Sequence, residues 1–210
     1  MTYPVLDHYY SAKQNLIASG YGKEIEWQSA LKSEDFTESD LLRETAWVIL
    51  CSGFREDVVR RHFDFISLCF CDWESARVIV GCGETCVRTA ISRFKNPQKL
   101  QSIFEAAQMI SSSGFLAVKV RIAADPIESL QRFRHVGPIT AYHLAKNLGF
   151  RVAKNDRHLQ RLADFYGFTD ADGLCRHVAA KSGDPVSVVD IVLWRFSVLV
   201  PKWYERLQTV

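Results

Sequence analysis

Apolar residues recur every three or four positions through much of the chain. Between 40 and 52 (DLLRETAWVILCS), Leu41, Leu42, Thr45, Ala46, Ile49 and Leu50 fall on one helical face. The stripe returns at 56–68 with Val58, Val59, His62, Phe63 and Ile66, and at 98–111 with Leu100, Ile103, Phe104, Ala107 and Ile110. Breakers stand where such helices should end and begin. Gly114, Gly137, Gly149, Gly167 and Gly183 punctuate the second half. Pro97, Pro126, Pro138 and Pro185 suit first helical turns. No sustained alternation marks a strand. The pattern predicts an all-α protein of about ten helices, without internal repeats or low-complexity segments.

Composition narrows this only a little. A chain of 210 residues that is 48% hydrophobic can bury a core in one unit or two small lobes. Twenty-six basic residues nearly cancel 24 acidic ones, leaving a net charge of +2. That balance permits a local basic face without announcing nucleic acid. The opening MTYPVLDHYYSAK lacks the basic and apolar runs of a signal peptide, and no uncharged apolar segment could cross a bilayer. The expectation is a cytoplasmic protein with no membrane partner and six reduced thiols: Cys51, Cys69, Cys71, Cys82, Cys86 and Cys175. Cys69-x-Cys71 and Cys82-x-x-x-Cys86 could compose a four-thiolate zinc site. Their spacing is not that of a zinc knuckle, however, and Cys82 and Cys86 can simply share a helix face, so packing without a metal is the expectation.

The stretch 127–168 carries the chemistry. Leu130 and Phe133 end a short amphipathic helix, His135-Val136-Gly137 make a tight turn, and Pro138 opens a second helix burying Ala141, Leu144, Ala145 and Leu148. Two helices so joined form an antiparallel hairpin. Backbone N–H groups of the turn and of the second helix's first residues have no intrahelical partner and suit a phosphate oxygen. Arg132, Arg134 and Lys146 could add charge. Gly137 is expected to be needed for the hairpin's geometry, since a Cβ there is costly if φ is positive and would crowd an approaching phosphate.

The run FRHVGPITA resembles the signature of helix-hairpin-helix proteins, and the residues after it resemble the extension of that motif in DNA glycosylases of the endonuclease III type. After Gly149 and Val152 comes Asn155-Asp156-Arg157-His158-Leu159, with an aspartate followed by x-His-apolar at the family's spacing. Residues 48–58 (VILCSGFREDV) resemble the family's wedge segment, and 188–198 (VVDIVLWRFSV) its final helix. The resemblance spans roughly residues 40–200 in order and spacing.

It implies two helical lobes with the hairpin at the cleft between them: residues 30–135 as a central lobe with the wedge, and 1–29 plus 136–210 as a second lobe with the hairpin's second helix and the aspartate. It implies a monomeric monofunctional enzyme that flips a damaged or modified base from duplex DNA and hydrolyses its N-glycosidic bond, in the nucleoid or, in a eukaryote, the nucleus. Asp156 is the implied catalytic carboxylate. Phe54, His135, Val136, Gly137, Ile139 and Thr140 are the implied DNA contacts, with Ile139 and Tyr142 lining a base pocket. Backbone carbonyls of Gln131, Phe133 and Val136 would hold an alkali ion. No cofactor is required by this reading, and no cysteine beyond Cys175 could complete a four-cysteine iron–sulfur loop.

Three residues depart from the family pattern. His135 replaces the turn's first glycine, Ile139 stands where lyase members carry a nucleophilic lysine, and Phe54 replaces an intercalating glutamine. Blander readings stand beside the functional ones. Asp156 could be only an N-cap, Phe54 could be core, and Asp190 reads as a partly buried carboxylate with a structural hydrogen bond. The alternatives are a non-catalytic hairpin DNA-binding protein, or a glycosylase and abasic-site lyase using Lys154 or Lys146.

Overall fold

The computed structural model describes residues 5–200, and every regular element among them is helical. The chain divides into two compact units. No helix of the described residues is long and apolar enough to cross a membrane.

One unit joins the N-terminal stretch, as far as Lys32, to the chain from Gly149 onward. In it α1 (Val5–Leu16) passes through a π-helical segment, Ile17–Tyr21, into α2 (Gly22–Ala30). After Gly149 come α11 (Arg157–Tyr166), α12 (Ala171–Ser182) and α13 (Val186–Leu199). The sequence of α13 is apolar on nearly every side, which suits a helix surrounded by others. Accordingly α1, α2, α11 and α12 all pack on it. Val189, Val192 and Leu193 meet Tyr9, Leu16, Leu159, Leu162 and Val178 in one core, and full burial of each large apolar side chain stabilises by about 1.5–3 kcal/mol. Arg195 of α13 is fixed by a bidentate pair with Glu24 at 2.6 and 2.9 Å.

The other unit runs from Ser33 to Leu148. It holds α3 (Glu38–Cys51), α4 (Glu56–Cys69), α5 (Ala76–Cys82), α6 (Thr85–Ala90), α7 (Pro97–Ser113), α8 (Phe115–Ala124), α9 (Pro126–Leu130) and α10 (Pro138–Asn147). Local signals set the starts. The Thr37 hydroxyl and Asp40 carboxylate cap α3 reciprocally, while Asn96 and Asp125, directly before Pro97 and Pro126, accept the backbone N–H groups of Lys99 and Glu128. α7 is central here, with α3, α5, α6 and α8 against it. Both hairpin helices lie in this unit because α10 packs on α9 and on α3. The expected lobe boundary after His135 instead divided the hairpin, and its outermost residues, 1–4 and 201–210, lie outside those described.

One connection has no counterpart in the apolar pattern. Between α4 and α5, Cys71, Asp72 and Trp73 all take left-handed backbone, at φ 57°, 48° and 62°. Each such residue costs about 1–2 kcal/mol. Trp73 helps to offset this: it is almost wholly buried, stacks on Phe70 with ring centres 5.5 Å apart, and donates its indole N–H to Ser67 Oγ at 2.9 Å.

Candidate functional site

Within the unit of residues 33–148, three elements carry the residues expected to meet DNA. The turn after α3 presents Phe54, which is 40% exposed; its ring leans on Phe94 at 5.4 Å, and Lys99 Nζ lies 5.7 Å from its centre. An exposed phenyl at a turn is not a core residue, so the core reading of Phe54 fails. Lys99, which no sequence feature singled out, is itself buried on α7. Its ammonium donates to the Ile49 carbonyl in the last turn of α3, and burial pushes its pKa down.

The hairpin forms where expected, but its turn is built differently. His135 takes the left-handed conformation at φ 66° that a glycine would occupy more cheaply. Its Nδ1 is 2.8 Å from Ser102 Oγ on α7. Burial, and then the charges of Lys99 and Arg134, hold its pKa below the ordinary value. Gly137 is extended at φ −88°, and a Cβ there would meet only Thr140 Oγ1, at 3.9 Å. No positive φ therefore makes a Cβ costly at Gly137: the residue two places earlier absorbs the tight turn. The Gly137 N–H is also not free for a phosphate, because it donates to Thr140 Oγ1 at 2.6 Å. The N–H groups left to a phosphate are those at the start of α10, of Ile139 and Thr140, since Pro138 has none.

Around this turn Ile139 is 52% exposed, Tyr142 is half-buried, and the Val136 and Phe133 side chains are buried, which leaves those two to act through their backbones. The Phe133 carbonyl already accepts from the Val136 N–H at 3.0 Å. Arg132 is exposed, and Arg134 pairs loosely with Glu105 at 3.3 Å. Lys146 does not add charge to this surface: it is only 4% exposed, because the α10 face that packs inward includes it. Asn147 donates to the buried Glu44 carboxylate of α3 at 2.8 Å, tying the hairpin to the helix that ends before Phe54. Burial raises the pKa of Glu44.

In the other unit Asp156 is the N-cap of α11. Its Oδ1 accepts from the N–H groups of His158 (2.9 Å) and Leu159 (3.1 Å). Its Oδ2 lies 3.6 Å from Lys154 Nζ, with the Asp156 side chain 13% exposed and that of Lys154 22%. One carboxylate oxygen is thus spent on the cap and the other faces the Lys154 ammonium. The loop is anchored from below by Asp190 of α13, 1% exposed, whose Oδ2 accepts from the Lys154 N–H at 2.7 Å. That is the structural hydrogen bond expected of Asp190. Asn155 accepts from the Ala171 N–H at the start of α12. Burial is the main cause of a lowered pKa at His158.

The fold has a solved counterpart. The crystal structure of the 8-oxoguanine DNA glycosylase of Thermotoga maritima aligns with a TM-score of 0.60 over 93% of this chain and 95% of that one, at 20% sequence identity. The likeness establishes an all-helical fold of that kind. No protein-family model and no curated protein matches the sequence.

Proposed function

We propose that the protein is a DNA glycosylase that hydrolyses the N-glycosidic bond of a damaged or modified base in duplex DNA. The observation that carries the reading is Asp156, a carboxylate with one oxygen held by two backbone N–H groups and the other beside Lys154. It comes after the hairpin at the spacing such enzymes use, in a chain with the fold of an 8-oxoguanine glycosylase. The N–H groups opening α10 bind a backbone phosphate, and Arg132 adds charge. Carbonyl oxygens of Gln131, Phe133 and Val136 would hold an alkali ion, which would supply positive charge beside that phosphate. Phe54 fills the gap left by the extruded nucleotide. Extrusion costs a few kcal/mol and least at a mispaired or damaged base. Ile139 and Tyr142 contact the flipped base. As the bond from C1′ to the base nitrogen breaks, positive charge develops on the sugar and Asp156 Oδ2 stabilises it. The bond electrons stay on the base nitrogen, which takes a proton from solvent; water adds to C1′ and gives up its proton to solvent, directly or by way of Asp156, so that one water is consumed for each base released.

Asp156→Asn tests this. Asparagine caps helices as well as aspartate does, so fold and DNA binding should persist while single-turnover base release falls by about 100-fold or more. The readout is mass spectrometry of free bases from a panel of modified duplexes, with 8-oxoguanine first because the structural neighbour acts on it. Near-normal excision by the folded variant would remove the assignment.

A second reading rests on Lys154, whose amine lies 3.6 Å from the same carboxylate. A lyase attaches such an amine to the sugar and then cleaves the strand. Ile139, at the family's lyase position, offers no nucleophile, and Lys146 is buried. Water is therefore the expected nucleophile, and the abasic strand should stay intact until treated with alkali. Borohydride trapping of a covalent adduct, lost in Lys154→Ala, would move the enzyme to the lyase class.

A further inference from the structure

Four of the six cysteines fall between residues 69 and 86, and the fold gathers three of their sulfurs. Cys71 opens the left-handed turn after α4, Cys82 is the last residue of α5, and Cys86 lies in the first turn of α6. Their Sγ atoms all lie within 4.8 Å of one another, and those of Cys71 and Cys82 are 3.4 Å apart. Thiolates that share one zinc ion at about 2.3 Å each stand roughly 3.8 Å apart in a tetrahedral site. The cluster has that span.

Backbone conformation aims these sulfurs. Cys71 is the first of three successive residues at positive φ, and Gly83, directly after Cys82, sits at φ 62°, ψ −153°, a region open essentially to glycine alone. Hydrophobic packing accounts for Cys86, which is buried and donates weakly to the Ile79 carbonyl at 3.9 Å. It does not account for an exposed Cys82 brought against a half-buried Cys71. That gradation suits a metal site, in which the inner ligand is shielded while the outer one leaves a path for the ion.

We propose that Cys71, Cys82 and Cys86 bind a single zinc ion, with water in the fourth position. Binding releases the three thiol protons to solvent and ties the end of α4 to the adjoining ends of α5 and α6. Cys69 lies outside the three-sulfur group. The site is independent of the glycosylase reading, since none of its ligands belongs to the residues invoked there.

The test uses the full chain, stripped with a chelator and fully reduced. Cobalt(II) should bind once per chain and give the thiolate charge-transfer and tetrahedral absorption bands, which zinc should bleach. Zinc should also raise the melting temperature. Both effects should vanish in Cys82→Ser, whose exposed position leaves folding undisturbed, and in Cys71→Ser and Cys86→Ser where these fold. Cys51→Ser should keep them. The proposal is overturned if reduced protein gives no charge-transfer band, or if the band survives in Cys82→Ser. It is equally overturned if Cys71 and Cys82 form a disulfide in air while the reduced thiols take up no ion.

Discussion

At His135 the backbone is left-handed while the side chain is held by Ser102. The two effects oppose each other and can be separated. His135→Ala removes the imidazole contact but keeps a Cβ in the unfavourable region. His135→Gly removes the same contact and relieves the backbone. The glycine variant should therefore be more stable than the alanine variant by about 1 kcal/mol in urea unfolding; equal stabilities would show that the turn relaxes. Histidine tolerates this region better than most side chains, which explains how a residue other than glycine can hold this turn. The same preference shows why Gly137 is misleading in the sequence. A glycine in a tight turn suggests a positive φ, yet the residue that takes one stands two places earlier. Asp156 was legible as an N-cap for a different reason: a short polar residue directly ahead of an amphipathic run is a local signal, and the catalytic role proposed for it asks for the same residue in the same place.

At the scale of elements, the long helices were legible wherever one face is apolar and a capping residue or proline precedes it, as for α3 and α7. The short helices α5 and α6 and the left-handed turn before them were not, because their stability comes from partners distant in sequence. Lys146 failed for a related reason. A lysine on an amphipathic helix reads as solvent-facing, but α10 packs on both α9 and α3 and encloses it. The loop from Ala153 to Asp156 depends on such a distant partner too. Asp190, buried in α13, takes the Lys154 N–H at 2.7 Å. Asp190→Ala should lose about 1–3 kcal/mol in denaturant unfolding, since a buried donor is left without its acceptor. Asp190→Asn keeps an acceptor oxygen and should lose less. A loss below about 0.5 kcal/mol for the alanine variant would mean that the loop is held by other contacts.

At the scale of the whole molecule, the all-α class and the order of elements came from hydrophobic period and breakers, while the division into units did not. Assigning the hairpin to one unit requires knowing that α10 packs on α3, and a periodic pattern says which face is buried but not against what. In the unit containing α1 and α13, buried His8 links the core to pH. His8 is 3% exposed, its Nδ1 lies 2.8 Å from the Tyr166 hydroxyl, and its ring meets Phe196 edge-on at 5.3 Å. Burial lowers its pKa from 6.5 to about 4. The folded state therefore keeps His8 neutral over a range in which the unfolded chain binds a proton, and stability must rise with pH through that range. The contribution is complete above about pH 6.5 and is lost progressively as pH falls toward about 4; a shift of this size corresponds to about 3 kcal/mol in all. Roughly 2 kcal/mol of it should be gone at about pH 5. Carboxylates titrate nearby, so the comparison that isolates His8 is with His8→Phe, which keeps an aromatic ring against Phe196 and cannot take up a proton. Urea unfolding at about pH 7 and pH 5 should show a loss in the wild type larger by roughly 2 kcal/mol than in the variant. Parallel losses in the two proteins would mean that His8 accepts a proton without leaving its place in the core.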